Sequence, residues 1–385
     1  MEEKLPHLGP FSDWLQFAER ERPLYAVPGS GPLTMMDARQ ILGIVADGVP
    51  IDPRVEQNWQ RDGIAGEEVS WSVGFGPRTH AWLLRPASGR GPRPGVIALH
   101  DHGASKFLGK EKIADGPGGR EPLLGDFRSG SYGDRAFANE LARRGFTVLV
   151  PDVFMWGSRR FPLDVMVKAL SAPHLEWIPP GSIGKTMKGE PVATLADVEI
   201  YNQAAMLHED IVVKYCGLLG STLAGVAAYE DRVALNYLKS RVDVFEGRTG
   251  CIGCSGGGCR AALLKATSDV DVAVIVCMMS SLRYMLDRHV SCHTSMLFPP
   301  GLAARCDWPD LAASRAPSPL MVQYAEEDEL FPLNGMRSAH ERISAHYDSA
   351  GAPQSYIGQF YQGGHRFDKE MQDAAFDQLA VWLAA

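Results

Sequence analysis

Runs of consecutive apolar residues recur along this chain, and the segments between them show helical spacing of apolar positions. The run 95–100 (GVIALH) is typical of a strand that is buried on both faces of a sheet, as are 146–151, 272–277 and 319–324. The clearest helical stripe lies in 216–241, where apolar residues recur every three or four positions. Strands that alternate with helices in this way predict a doubly wound, mostly parallel sheet with helices on both faces.

The N-terminal part of the chain has a different pattern. Segments 68–73 and 79–85 flank a turn rich in glycine and proline and predict an antiparallel pair of strands. Before them, one short helix is predicted at 11–20, and a second begins after a capping-box-like Thr34 and continues through Asp47. We therefore assign residues 1–65 to a helical appendage.

Residues 66–385 are predicted to form one catalytic domain with two long insertions, at about 155–215 and 280–316. A helix, a strand and a final helix are predicted to end it, at 334–349, 355–361 and 367–383. Loops at the carboxyl ends of parallel strands gather over the same edge of a sheet, so the insertions should form a lid over a site there. Their bulky side chains should roof that site: Trp156, Phe161, Trp177, Phe298 and Trp308.

The strongest chemical signal is the segment 249–260, TGCIGCSGGGCR, which matches the G-x-S-x-G pattern of a nucleophile elbow around Ser255. In such an elbow the serine lies on a strained turn between a strand and a helix, and a Cβ at the flanking positions would collide with neighbouring chain. The turn also directs backbone N–H groups towards a developing oxyanion. A strand before the motif and a helix after it favour a nucleophile over a glycine-rich loop without catalytic function.

A serine hydroxyl becomes a good nucleophile only when a histidine takes its proton and a carboxylate orients that histidine. With this elbow the chain order is serine, acid, histidine. The strand at 319–324 is followed by four carboxylates within 326–329, which are the candidates for the acid. His365 follows two glycines after the last predicted strand and directly precedes the final helix, so we predict that it is the general base.

His100, at the end of the strand at 95–100, and His102 just after it allow a different interpretation of the site. His-x-His at a strand end can also ligate zinc in a metal-dependent amidohydrolase. Such an enzyme needs further ligands at successive strand ends. Four other histidines fall in the insertions instead, namely His174, His208, His289 and His293. The amidohydrolase is therefore the less favoured alternative.

Together these motifs make the chain similar to the acetyl xylan esterase-like branch of the α/β-hydrolases, which is related to the dienelactone hydrolases. The similarity spans about 65–385 and is carried by 100–103, 109–110, 133–135 through 150–152, 229–238, 253–258, 300–302, 307–311 and 316–317. It implies an α/β-hydrolase fold and a serine hydrolase that cleaves a carboxylic ester of a small to medium substrate. A C–C bond or lactone hydrolase with the same triad, and a ligand-binding member without activity, are the alternatives.

The resemblance also implies roles for individual residues. Ser255 would form the acyl-enzyme, and Asp328 would be the acid because it stands shortly before an apolar residue and a proline, with Glu327 as the alternative. The N–H groups of Gly256 and Ala104 would form the oxyanion hole. No metal and no cofactor is implied.

Substrate-binding residues are expected at the start of the first insertion. Trp156, Arg159 and Phe161 follow a predicted strand end and should line the pocket, with Arg159 available for a substrate carboxylate. Ordinary lid packing is the alternative for the two aromatic residues, and a salt bridge is the alternative for the arginine.

Composition and charge exclude some classes of binding partner. A net charge of −8 over 385 residues argues against nucleic acid, which favours a basic face. The N-terminal residues carry no signal-peptide pattern, and the longest apolar run, 272–279, is too short for a bilayer, which predicts a cytoplasmic protein that does not contact a membrane.

Seven scattered cysteines do not suggest a disulfide framework, and Cys251 and Cys254 are expected to be buried packing residues. The expected partner is a small-molecule ester, and homo-oligomerisation is left open.

Overall fold

One sheet of nine strands runs through the described part of the chain. The structure, a computed structural model, describes residues 5, 7–26, 33–89, 91–170 and 194–384. The strands are β1 Ile51–Arg61, β2 Ile64–Ser72, β3 Thr79–Pro86, β4 Arg93–Leu99, β5 Thr147–Pro151, β6 Val244–Cys254, β7 Val272–Val276, β8 Leu320–Ala325 and β9 Tyr356–Tyr361. Their spatial order is β1-β2-β3-β5-β4-β6-β7-β8-β9, in which β1, β2, β3 and β5 pair antiparallel and all pairs from β5 to β9 are parallel. The predicted antiparallel start and parallel remainder are confirmed.

Helices cover both faces of this sheet. Those in the described residues are α1 Trp14–Glu21, α2 Met35–Leu42, α3 Gly125–Tyr132, α4 Phe137–Arg143, α5 Leu163–Ala169, α6 Leu195–Leu218, α7 Leu223–Lys239, α8 Gly256–Thr267, α9 Trp308–Ala313, α10 Leu333–Ser349 and α11 Lys369–Ala384. Helices α2, α7, α8, α9 and α10 contribute to the hydrophobic core on one face, and α4 and α11 contribute to the core on the other.

Strand β4 shows why its sequence is apolar throughout. Successive side chains of a strand point to opposite faces. Accordingly, Val96 and Ala98 belong to the core beneath α4 and α11, while Ile97 and Leu99 belong to the core beneath α7 and α8. All four are fully buried. Because burying a large aliphatic side chain is worth about 1.5–3 kcal/mol, the central strands hold the two helical layers in place.

The N-terminal region differs in detail from the prediction. Strand β1 lies within residues that were expected to be helical or irregular, and it pairs antiparallel with β2. Helix α2 does have the capping box at Thr34, but it ends at Leu42 because Gly43 adopts the left-handed conformation, with φ 83°. The division into an appendage of residues 1–65 and a catalytic domain stays a prediction.

The first insertion is also more regular than expected, since it contains α5 and the 24-residue helix α6. The single helix predicted at 216–241 is in fact two, because the chain turns at Gly220, with φ 71°, and Thr222 caps the start of α7. Trp177 and His174 lie outside the described residues, so their predicted places stay predictions.

Within the described ranges, no single helix is long and apolar enough to cross a membrane. The bent pair α6 and α7 passes that test only when the two helices, which meet at 82°, are taken together. The cytoplasmic location stays a prediction.

Candidate active site

Ser255 lies at the tip of the turn between β6 and α8, as the motif predicts. Its backbone adopts φ 56° and ψ −122°, a conformation that is rare for a residue with a side chain. The amide of Ser255 donates to the carbonyl of Val276 (2.9 Å), which ties the turn to the neighbouring strand. The adjoining glycines are required by contact: a Cβ on Gly253 would lie 2.3 Å from the carbonyl carbon of Gly257, and one on Gly257 would lie 2.1 Å from the carbonyl oxygen of Leu99.

His365 and Asp328 are in direct contact. His365 Nδ1 lies 2.6 Å from Asp328 Oδ2, and the other carboxylate oxygen accepts the amide of Leu330 at 2.9 Å. The carboxylate is fully buried, whereas the imidazole keeps 25% of its surface exposed. Since a carboxylate only accepts, Nδ1 carries the proton and Nε2 is left as the basic nitrogen. The alternative acid, Glu327, is exposed to solvent.

The environment of His365 adjusts its basicity. Burial on its own lowers the pKa of this histidine, but the hydrogen bond to Asp328 and the charge of that carboxylate outweigh burial and raise the pKa above its ordinary value. The contact therefore both orients the ring and strengthens it as a base.

Ser255 and His365 open onto the same cavity, which has a volume of about 340 Å³. Gly256 and Ala104 also lie on its wall. Much of the remaining wall is apolar and comes from several loops and helices, including Phe127, Met206, Met278, Met296, Leu297 and Phe331. Met206 lies on α6, and Met296 and Leu297 lie in the second insertion, so residues of both insertions line this cavity.

The loop after β4 does not leave the Ala104 amide free. That amide donates to Nδ1 of His102 (3.1 Å), within a turn in which Gly103 and Ala104 both have positive φ. The backbone nitrogen of His102 instead lies against the elbow, since a Cβ on Gly256 would come within 2.6 Å of it. The amide of Ala104, predicted as an oxyanion donor, is thus engaged within its own turn, whereas the backbone nitrogen of His102 lies beside Gly256.

The three predicted substrate-binding residues are not on the cavity wall. Arg159 is 3% exposed, and its guanidinium pairs with Glu230, with Nε 3.1 Å from the carboxylate, so it is not available to a substrate. Trp156 is 2% exposed and packs behind His102 with ring centroids 5.4 Å apart. Phe161 packs edge-on against His208. The alternatives of lid packing and a salt bridge fit the structure, and the prediction of direct substrate contact is corrected.

Among the residues that the structure describes, no further ligand joins the His-x-His pair to complete a metal site. Burial lowers the pKa of His100 well below its ordinary value, and it lowers that of His102 to about 3. Across the described ranges, one group of histidine, cysteine and carboxylate atoms is close enough to hold a metal ion, and it consists of Cys277, Asp328 and His365. Within the described residues, the amidohydrolase alternative therefore lacks a ligand set at the end of β4.

A buried ion pair and the hydrogen bonds around it join three segments of the chain beside the cavity, which the sequence did not suggest. Lys106, in the loop after β4, pairs with Glu209 of α6. The other oxygen of Glu209 accepts from the hydroxyl of Thr294 (2.6 Å) and from the amide of Ser295 (2.9 Å), both in the second insertion. We call Lys106, Glu209 and Thr294 the lid clamp. No local pattern marks these residues, because their pairing depends on how the two insertions fold over the sheet.

Comparison with known proteins shows the fold. No protein-family model matches the chain. The chain is 25% identical over 352 residues to the protein named "Putative hydrolase YtaP" of Bacillus subtilis (strain 168), a match that covers 89% of this chain and 97% of that protein.

Several solved structures superpose on most of the chain. One, named a putative acetyl xylan esterase from Bacteroides fragilis NCTC 9343, has a TM-score of 0.60 at 16% identity and covers 92% of this chain and 82% of that one. A glucuronoyl esterase from Solibacter usitatus has a TM-score of 0.59 at 14% identity over 94% and 97% of the two chains. The chain spans 62% of the length of a methylesterase that it also matches. The chain has an α/β-hydrolase fold, which confirms the predicted fold class.

Proposed function

We propose that this protein is a serine hydrolase that cleaves a carboxylic ester of a small to medium substrate. The observation that carries the proposal is the contact between His365 and Asp328, 2.6 Å apart, at a cavity that the elbow serine also lines. Hydrolase and esterase relatives support ester hydrolysis as the coarser activity. An ester is preferred to a C–C bond or a lactone because the superposing structures are named as esterases.

The proposed reaction uses the chain's own groups. Ser255 Oγ attacks the ester carbonyl while His365 Nε2 takes its proton, and Asp328 keeps the imidazole in the tautomer that leaves Nε2 free. The imidazolium then protonates the leaving alcohol. A water molecule, deprotonated by the same histidine, releases the acid from Ser255.

The tetrahedral oxyanion needs two N–H donors close to Ser255. Gly256, at the start of α8, supplies one, and its position at the helix N-terminus adds a favourable dipole. For the second donor we propose His102, because its backbone nitrogen lies beside Gly256 whereas the Ala104 amide already donates to His102 Nδ1.

The cavity wall favours an uncharged acyl group. Arg366 is the arginine on that wall, and its guanidinium is held by Asp368 (2.7 Å) and by the carbonyl of Gln362 (2.7 Å). Burying a hydrocarbon acyl group against the apolar side chains around Ser255 is favourable by about 25 cal/mol per Å² of apolar surface removed from water. Neutral esters should therefore be better substrates than esters whose acyl group bears a carboxylate.

A fluorophosphonate probe tests the nucleophile. It should label Ser255 once per chain, and Ser255→Ala should abolish both labelling and ester hydrolysis. Ser131 also lies on the cavity wall and serves as the matched control, so Ser131→Ala should still be labelled. A label mapped by peptide analysis to another serine, or no label on folded protein, would overturn the proposal.

A further inference from the structure

A thiol lies directly behind the contact between His365 and Asp328. Cys277 follows the last residue of β7 and is 3% exposed. One ligand atom from each of Cys277, Asp328 and His365 lies within 4.8 Å of the other two. The thiol donates to the backbone carbonyl of Arg366 (3.2 Å), which keeps the sulfur beside the His365 loop. The reaction described above has no use for this thiol.

Sulfur, imidazole nitrogen and carboxylate oxygen are the three ligand types that Zn²⁺ takes from proteins. At the bond lengths of about 2.0–2.3 Å that are usual for zinc, ligand atoms around one ion are roughly 3–4 Å apart. Atoms within 4.8 Å of one another reach that arrangement with shifts of less than about 1 Å.

We propose that Cys277, Asp328 and His365 form an inhibitory site for a thiophilic divalent cation, with Zn²⁺ as the best fit. The ion would bind Nδ1 of His365 and take the place of the proton that Asp328 now accepts. The thiol proton leaves to solvent, and the imidazole proton moves from Nδ1 to Nε2. An imidazole that is metallated at Nδ1 and protonated at Nε2 cannot accept the proton of Ser255.

The ligand set also sets the selectivity. Ca²⁺ and Mg²⁺ prefer six or more oxygen ligands, and this site offers one carboxylate. Cd²⁺ and Co²⁺ bind thiolate and imidazole and should occupy the site as Zn²⁺ does. Inhibition by zinc but not by magnesium at the same concentration is therefore expected.

The inhibition rests on the proposed role of His365, but the binding does not. Isothermal titration with Zn²⁺ should give one ion per chain, and hydrolysis of a nitrophenyl ester should fall in step with occupancy and return on chelation. With Co²⁺, a thiolate-to-cobalt charge-transfer band should appear. Cys277→Ser retains a hydroxyl that can donate to the carbonyl of Arg366, and it should weaken Zn²⁺ binding at least tenfold and abolish the cobalt band.

Two control variants make the outcome decisive. Cys292 is a thiol on the cavity wall that lies outside the cluster, so Cys292→Ser should leave zinc affinity unchanged. Ser255→Ala, which has no activity to inhibit, should bind Zn²⁺ as the unmodified chain does. Binding without any esterase activity in the unmodified chain would overturn the proposed function and leave the site intact. Zinc affinity that is the same in Cys277→Ser, or no zinc binding at all, would overturn the site.

Discussion

Two neighbouring carboxylates, Asp328 and Glu327, differ sharply in what their side chains touch. Asp328 is buried and accepts from His365, whereas Glu327 is exposed. Asp328→Asn keeps the size of the side chain but removes the charge and can stabilise the wrong tautomer of the histidine, so kcat should fall by several orders of magnitude, on the order of 10⁴ as for the same substitution in a serine protease. Glu327→Gln should cost little. Steady-state kinetics of both variants, with circular dichroism to check folding, test this, and the opposite ranking would make Glu327 the acid.

The raised pKa of His365 has a consequence for the pH profile. The base must be neutral to accept a proton, so kcat/KM should rise with pH through the pKa of His365 in the free protein. Because Asp328 raises that pKa, the acid limb should lie above the value of about 6.5 for an ordinary histidine. A pH series of kcat/KM measures it. In Asp328→Asn the limb of the residual activity should move to lower pH, and a limb that stays in place would show that Asp328 does not act on His365.

Individual residues also show which parts of a site can be predicted from the sequence. Ser255 and His365 stand in short motifs whose chain order and glycine neighbours carry the signal, and the structure brings both to one cavity. Ala104 was assigned from the family resemblance and Arg159 from its position after a strand end, and the structure gives the polar groups of both other partners. Local motifs therefore point to the groups that we propose to react, while loop contacts decide what lies around them.

At the scale of elements, the elbow depends on how closely α8 approaches β4. Gly257→Ala would place a methyl group 2.1 Å from the carbonyl oxygen of Leu99, which is backbone and cannot turn away. We expect a loss of about 1–3 kcal/mol in the free energy of unfolding and a large loss of activity, because the turn that carries Ser255 must shift. Gly130, in α3, has open space where a Cβ would lie, with no atom within 4 Å, so Gly130→Ala should stabilise by about 0.5–1 kcal/mol. Denaturant unfolding compares the two, and wild-type stability and activity in Gly257→Ala would refute the tight contact.

The elements that the sequence did not predict share a physical reason. Strand β1 is exposed at nearly every position, so it has no alternation of apolar and polar residues to detect. Helix α6 has its apolar residues on more than one side, and several of them, such as Leu207, Tyr215 and Leu218, are exposed. Strands β4, β5, β7 and β8 were predicted within one or two residues because both of their faces are buried, whereas β6 begins at Val244, well before the short strand that was expected in front of the elbow. Periodicity thus reports burial, and it fails where an element lies at the edge of the sheet or over the cavity.

At the scale of the whole molecule, the lid clamp connects the two insertions to the loop after β4. Glu209 binds Lys106 through one carboxylate oxygen and Thr294 through the other. Removing one partner of a buried ion pair costs about 3–5 kcal/mol of stability. Although α6 is long and carries exposed apolar residues, lifting it from the loop after β4 and from the second insertion would break this clamp. We therefore expect the two insertions to stay closed over a cavity of fixed size and not to open as a lid on a lipid surface.

The fixed roof leads to a prediction about acyl length. The cavity of about 340 Å³ is near the lower end of the roughly 300–1,000 Å³ of small-molecule sites, and its walls come from both insertions. Each methylene that it cannot house forfeits about 0.8 kcal/mol of burial and adds strain. We expect kcat/KM to be highest for acetyl to butyryl esters, to fall clearly by octanoyl, and to show no activation at an oil–water interface. A series of nitrophenyl esters measures this, with Glu327→Gln as a control that leaves the cavity unchanged. Efficiency that keeps rising to long chains would require an open apolar groove, which is incompatible with a clamped roof.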